Sequence, residues 1–306
     1  MDLLARIAPF FLLIAAGALA GRLGVLGPRA GRALSAYTFW IGFPALLIHW
    51  LGAAPPPSAQ LLTALAVYAV AMAVILFAAP VLARLCRFSA EAQAGLAMTS
   101  AVGNTAFLGA PLAVSIFGEA VRSQAAAVVA VDFIILMALS IGVLQTARGR
   151  PHPGKALGRA LFNPTVAGAL VGLCLSLAHV RLPEAINTPL GFLAQTASPI
   201  ALISLGGLIG RERSRPTRAE VTPIGASLLL KLLAAPLLVW LALGLAGASG
   251  EVRATFTLLA ACPTAVNVFI QTRAMNVYSR GAALSVMAGA IVSALSLTLW
   301  AHFLTR

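Results

Sequence analysis

Gly103-Asn104-Thr105-Ala106-Phe107-Leu108-Gly109-Ala110-Pro111 interrupts one of the long apolar runs of this 306-residue chain. A second interruption, Pro263-Thr264-Ala265-Val266-Asn267, lies in the other half. Proline removes a backbone donor and glycine loosens the helix, so each stretch frees polar groups that hydrocarbon cannot satisfy. Inside a bilayer such breaks are tolerated only where they pack on protein or line a cavity. Paired breaks at corresponding positions of two halves are the best sequence pointer to a site near the bilayer midplane.

The runs around these breaks set the fold class. Apolar residues make up 60% of the chain and charged residues 9%, which excludes an ordinary soluble domain. A bilayer crossing needs roughly 20 apolar residues, and ten runs approach that length. They lie at 3–21, 33–51, 61–83, 95–117, 124–146, 162–179, 186–209, 222–246, 254–274 and 281–303. The expectation is an all-α polytopic protein of ten transmembrane helices. It forms one membrane domain over 1–306, with helices 4 and 9 broken and crossing.

A formal charge of +13 would fit a nucleic-acid binder, but the placement of the cations excludes that class. Fifteen of the 21 Lys and Arg fall in alternate loops, the first three being Arg22, Arg29 and Arg32. Five fall on the opposite side (Arg6, Arg122, Arg181, Arg253 and Arg306), and Lys231 lies within a span. This is the positive-inside asymmetry, and it predicts that both termini are non-cytoplasmic. The first run is followed, not preceded, by its basic cluster, so it reads as span 1 and not as a secretory leader. Cys86, Cys174 and Cys262 are isolated, as are the four histidines, and neither set has metal-ligand spacing.

The loop Arg148–Lys155 (Arg-Gly-Arg-Pro-His-Pro-Gly-Lys) is the sharpest compositional break, and it divides the ten spans into five and five. Pro9 and Pro164 are 155 positions apart, Pro44 and Pro199 155, Pro80 and Pro236 156, and Asn104 and Asn267 163. The larger last offset fits a longer loop around 244–251. Any one proline reads as an ordinary helix kink; the ordered series reads as a duplication. Residues 1–147 and 156–306 then form two five-helix repeats. An odd number of spans returns the chain to the other side, so the second repeat is inverted.

At the breaks, Gly103 and Pro111 shape the backbone, while Asn104 and Thr105 supply hydrogen-bonding groups. Pro263 frees a carbonyl, and Thr264 and Asn267 sit one turn apart on one face. Amides at broken helix starts favour anions and carbonyl ends favour cations. These seven residues are the candidate ligand-binding set, with interhelical packing as the plainer role for the polar ones. Asp132 and Lys231 are the ionisable residues placed deep in spans, and such residues are costly there. At 1.5 Å per residue they lie roughly 12 and 13 Å from opposite faces, which brings them to similar heights. They are candidates either for an ion pair or for separate proton-carrying and charge-balancing roles. No catalytic and no metal-binding residue is assigned.

Taken together, these motifs resemble the auxin efflux carrier family in its compact prokaryotic form, over essentially the whole chain. The resemblance rests on Pro9-Phe10-Phe11-Leu12-Leu13, Gly21-Arg22-Leu23-Gly24, Phe43-Pro44-Ala45-Leu46-Leu47, the Gly103–Pro111 stretch and Phe117-Gly118-Glu119. In the second half it rests on Asn163-Pro164, Lys231-Leu232 with Pro236, and Pro263–Asn267. It implies a fold like that of the bile-acid/sodium symporters. Helices 1, 2, 6 and 7 would form a scaffold, usually homodimeric, and helices 3–5 and 8–10 a moving transport unit. Family cargoes are organic anions, including auxin in plants and dicarboxylates in bacteria. The long cytoplasmic loop of the plant carriers is absent, so regulation through it does not carry over.

The expectation is a secondary transporter in a bacterial inner membrane, moving a small organic anion by elevator-type alternating access. It needs no cofactor, and its coupling ion is H+ or Na+. Its partners are the anion, the lipid bilayer and a second copy of itself, with no nucleic acid. An integral-membrane enzyme is the alternative from another class, but the spans hold no paired carboxylates, metal triad or nucleophile–base motif. A channel or sensor using the same pocket is the third reading.

Overall fold

The computed structural model describes residues 3–147, 164–211 and 216–306. The loop Arg148–Lys155, Asn163 and the start of the second proposed repeat lie outside the described residues. Among the described residues every regular element is helical. In chain order they are α1 (Leu3–Arg22), α2 (Pro28–Tyr37), α3 (Phe43–Gly52), α4 (Ala59–Leu85), α5 (Ala90–Ala101), α6 (Ala110–Phe117), α7 (Arg122–Val131) and α8 (Met137–Thr146). They continue with α9 (Pro164–Leu177), α10 (Glu184–Arg211), α11 (Arg218–Leu229), α12 (Ala235–Leu245), α13 (Gly250–Ala260), α14 (Val266–Ala274) and α15 (Ser279–Leu304).

Seven continuous helical stretches are long and apolar enough to cross a membrane. They match seven of the ten apolar runs, and the difference has a local cause. The run at 95–117 divides into α5 and α6, and the run at 254–274 into α13 and α14, because the polar stretches interrupt both. Neither fragment of either run is long enough alone. The run at 162–179 is described only from Pro164, as the 14-residue α9. Four wide turns of the i→i+5 type occur: Thr38–Gly42, Asp132–Leu136 and Leu230–Ala234 join consecutive helices without ending them, and Thr105–Gly109 leads into α6. Such bulges add a residue to the turn and rotate the side chains beyond it; they are frequent at functional sites.

The chain divides into two compact units. The first comprises Met1–Ala59, Ala106–Ala130 and Leu161–Ser214. Its most extensive helix pairs are α1 with α10 and α3 with α9. Both are built on glycine pairs four residues apart. A β-carbon on Gly17 would lie 2.2 Å from the Ile203 carbonyl oxygen, and one on Gly21 2.6 Å from that of Gly207. From the other side, Gly206 and Gly210 would each put a β-carbon 2.0 Å from the carbonyl oxygens of Ile14 and Ala18. In the α3–α9 pair, Gly168 meets the Pro44 backbone at 2.6 Å and Gly172 the Leu47 carbonyl oxygen at 2.7 Å. Lipid is as apolar as leucine, so close backbone approach through small residues is what holds such helices together.

The second unit comprises Gln60–Thr105, Val131–Ala160 and Arg215–Arg306. Leu76 of α4 packs with Ala97 and Ala101 of α5, and Met98 and Val102 pack with Met137, Ile141, Ala265 and Val268. Outward stripes are apolar instead of polar: Val70, Val74, Phe77 and Val81 on α4, and Ile291, Leu295, Leu299 and Phe303 on α15, are exposed. A helix apolar on all sides fits a membrane span and not a water-soluble bundle.

Candidate functional site

The break after α5 begins where Val102 turns extended (φ −88°, ψ 105°). The break before α14 ends at Ala265, also extended (φ −71°, ψ 147°). The two extended segments lie antiparallel, with Gly103 opposite Thr264. Asn104 donates its backbone N–H to the Pro263 carbonyl at 2.7 Å, and Ala265 donates to the Val102 carbonyl at 3.1 Å. The breaks therefore meet within the second unit and satisfy each other's backbone, as a membrane interior requires.

Other groups freed by the breaks are capped by side chains. The Thr264 hydroxyl donates to the Thr99 carbonyl at 2.7 Å. Lys231, 1% exposed, donates from Nζ to the Ala260 carbonyl at the end of α13 at 2.6 Å. Its amine also lies against Gly103, where a β-carbon would be 2.9 Å from Nζ and 3.1 Å from Cε. Asp132 is buried and accepts twice: from the Tyr68 hydroxyl at 2.9 Å and from the Thr105 hydroxyl at 2.6 Å. The ring of Tyr68 packs edge-on against Phe256.

Asp132 and Lys231 were candidates for a direct ion pair. Among the described residues the ion pairs within 4.0 Å are Arg122–Glu119 and Arg280–Glu220. Asp132 and Lys231 instead hold different partners, two hydroxyls and one carbonyl. Each stands at or next to the start of a wide turn, Asp132–Leu136 and Leu230–Ala234.

Asn104 differs from its neighbours. It is 2% exposed, yet neither its amide nitrogen nor its amide oxygen has a hydrogen-bonding partner within the protein. Asn267 is buried on the first turn of α14, where helix geometry leaves the leading N–H groups without intrahelical acceptors. Thr105 and Thr264 have committed their protons to Asp132 and to the α5 backbone, so they brace the paired extended segments. Gly103 and Pro263 belong to those segments. Pro111 alone belongs to the first unit, where with Phe10, Trp50, Gln195 and Ser198 it lines a cavity of about 220 Å³. The Ser198 hydroxyl there is buried without a partner. Tyr68 was missed from the sequence. An aromatic with a polar tip well inside a span, and not at the interface where such residues gather, was the available signal.

Comparison with known proteins matches this chain to the model described as "Membrane transport protein" in two segments, residues 2–158 and 150–301. The chain belongs to that family of transporters. The resemblance to the auxin efflux carriers is thereby shown across its length. One similar protein is a "Putative malonate transporter" of Rhizobium meliloti (strain 1021), 27% identical over 300 residues, covering 95% of this chain and 92% of the relative. An "Uncharacterized transporter" of Methanothermobacter thermautotrophicus is 31% identical over 145 residues, covering 47% of this chain and 46% of the relative. These relatives are named as transporters and not as enzymes, which agrees with the lack of a catalytic motif in the spans. The transporter is a multi-pass membrane protein.

Proposed function

We propose that this transporter is a secondary carrier of a small organic anion, with a short dicarboxylate such as malonate as its first candidate cargo. The single observation that carries the reading is the buried, unpartnered amide of Asn104 at the crossing. A buried polar group left unpaired costs roughly 1–3 kcal/mol, and a ligand that pairs it recovers that loss. The Asn104 NH2 and the leading amides of α14 would donate to carboxylate oxygens, with Asn267 beside them and the Lys231 charge close by. A relative named as a "Putative malonate transporter", matched over nearly the whole chain, supports the same class of cargo.

Alternating access of the elevator type follows from the duplication. Paired prolines, the two breaks, and the glycine-built pairs α1–α10 and α3–α9 correspond when the halves are exchanged, which supports a 5+5 inverted repeat. Helices 3–5 and 8–10 would move with the crossing, and helices 1, 2, 6 and 7 would stand as a homodimeric scaffold. The membrane is the bacterial inner membrane, with both termini outside.

The test is malonate binding to purified wild type, Asn104→Ala and Asn267→Ala. Losing one or two hydrogen bonds to a charged ligand, about 1.5–3 kcal/mol each, weakens binding by about ten- to a hundredfold or more. Wild-type affinity in both variants would remove the site assignment. Saturable counterflow of labelled malonate in liposomes separates a carrier from a channel or sensor.

A further inference from the structure

Within the second unit, α11 and α12 leave a groove of about 510 Å³ against α15. Leu229, Leu233, Leu237, Val292 and Leu299 line it and are exposed. Two indoles are fixed in its wall. Trp300 donates its Nε1–H to the Leu232 carbonyl, in the wide turn Leu230–Ala234, at 2.9 Å. Its ring meets Phe303 edge-on with centroids 5.9 Å apart, and Phe303 meets Trp240 at 5.4 Å.

A cation ends this aromatic row. The guanidinium carbon of Arg253 lies 3.6 Å from the centroid of the Trp240 ring, and its Nε donates to the Trp240 carbonyl at 2.8 Å. Gly244 admits it, since a β-carbon there would stand 2.7 Å from the guanidinium carbon. Arg253 takes part in neither of the ion pairs described above. Glu251 is two residues away on α13, a spacing that puts the two side chains on different faces of the helix.

The groove runs from Leu228 to Trp240 on one side and from Val292 to Phe303 on the other, about 16–18 Å at 1.5 Å per residue. One leaflet's share of a hydrocarbon core about 30 Å thick is about 15 Å. The groove thus has the length of one acyl chain standing in one leaflet. Arg253 lies on the first turn of α13, so the cation sits at the headgroup end, where aromatic residues gather.

We propose that this groove binds one anionic phospholipid, its acyl chain along α12 and α15 and its phosphate on the Arg253 guanidinium. The site is separate from the crossing, and the proposal does not depend on the cargo. Stacking on the indole holds the planar guanidinium in one orientation, and its N–H fork matches phosphate oxygens. A phosphatidylcholine chain fits the same groove, but its choline adds a positive charge and so forfeits the preference.

The chain has four tryptophans, so Trp40→Phe with Trp50→Phe leaves Trp240 and Trp300 as the only indoles. In that background, quenching of indole fluorescence by phosphatidylglycerol and phosphatidylcholine with brominated acyl chains reads occupancy of the groove directly. Phosphatidylglycerol is expected to bind about fivefold more tightly, the preference contributed by one cation at a membrane surface. Arg253→Gln is expected to bring the two lipids within about twofold of each other, and Val292→Phe, which fills the deep end, to weaken both. Equal binding of the two lipids before Arg253 is changed overturns the proposal, and this comparison stands even where Arg253→Gln does not fold. A full preference retained in Arg253→Gln overturns it too. Glycerol 3-phosphate is expected not to displace the lipid; displacement would make the site one for a free phosphate. Quenching by neither lipid would mean that something else, such as a second copy of the chain, covers the groove, and the proposal would fall.

Discussion

At Gly103 a β-carbon would lie 2.9 Å from the Lys231 amine and 3.1 Å from its Cε. The first is closer than a β-carbon comes without something shifting, and the second is tighter than most real contacts. The flexible side chain can give a little, but its Nζ is held by the Ala260 carbonyl. Gly103→Ala is therefore expected to destabilise the protein by about 1–3 kcal/mol through overpacking and to weaken malonate binding, read by thermal unfolding and by a binding titration. An unchanged melting temperature together with unchanged affinity would show that the lysine tolerates displacement. Asp132 argues similarly. Both its oxygens accept hydroxyl protons, so Asp132→Asn places an NH2 where one acceptor stood and opposes a donor with a donor. That variant is expected to lose stability, and uptake measured at several pH values reports whether a proton role goes with it; an unaltered pH profile would remove Asp132 as a proton carrier.

Among the elements, the helix pairs of the first unit hold through absence of side chains. Gly206 on α10 would bring a β-carbon to 2.0 Å from the Ile14 carbonyl oxygen, which is backbone and cannot rotate aside. Gly206→Val is expected to cost more than the same change at Gly142, which has open space around it. Thermal unfolding of the two variants in one detergent makes the comparison. Equal losses would mean that α1 and α10 separate at no cost. The broken elements show the complementary rule. Helix α5 ends at Ala101 and α14 begins at Val266, and the freed groups between them are satisfied by one another and by Lys231 and Thr264 side chains. Propensity explains why the helices stop there; only the partner break explains why stopping is affordable in lipid.

For the whole molecule, the distribution of Lys and Arg predicts orientation. Cys86 is exposed in the loop between α4 and α5, and the charge asymmetry predicts a cytoplasmic place for that loop. With Cys174 and Cys262 replaced by alanine and Thr305 by cysteine, an impermeant maleimide is expected to label residue 305 on intact spheroplasts. Cys86 should label only after permeabilisation. The opposite pattern would invert the topology and, with it, the side from which each half of the proposed repeat opens.

The sequence by itself determined the membrane class, most of the spans and the place of both breaks. Hydrophobic length, proline chemistry and loop charge are local quantities that need no partner to be read. It also marked Asp132 and Lys231, because a charge in hydrocarbon is conspicuous wherever it points. What those charges do was decided only by tertiary structure. Two wide turns, Asp132–Leu136 and Leu230–Ala234, begin at or beside these residues. Tyr68 and Thr105 come to one carboxylate, and the Ala260 carbonyl to the ammonium, from segments far apart in the chain. Hydrogen-bond partners across such separations are chosen by packing, and no periodicity along the chain records the choice. Asn104 falls between the two cases. Its position is legible in the sequence, while its lack of a partner appears only once every neighbouring group has been paired with another.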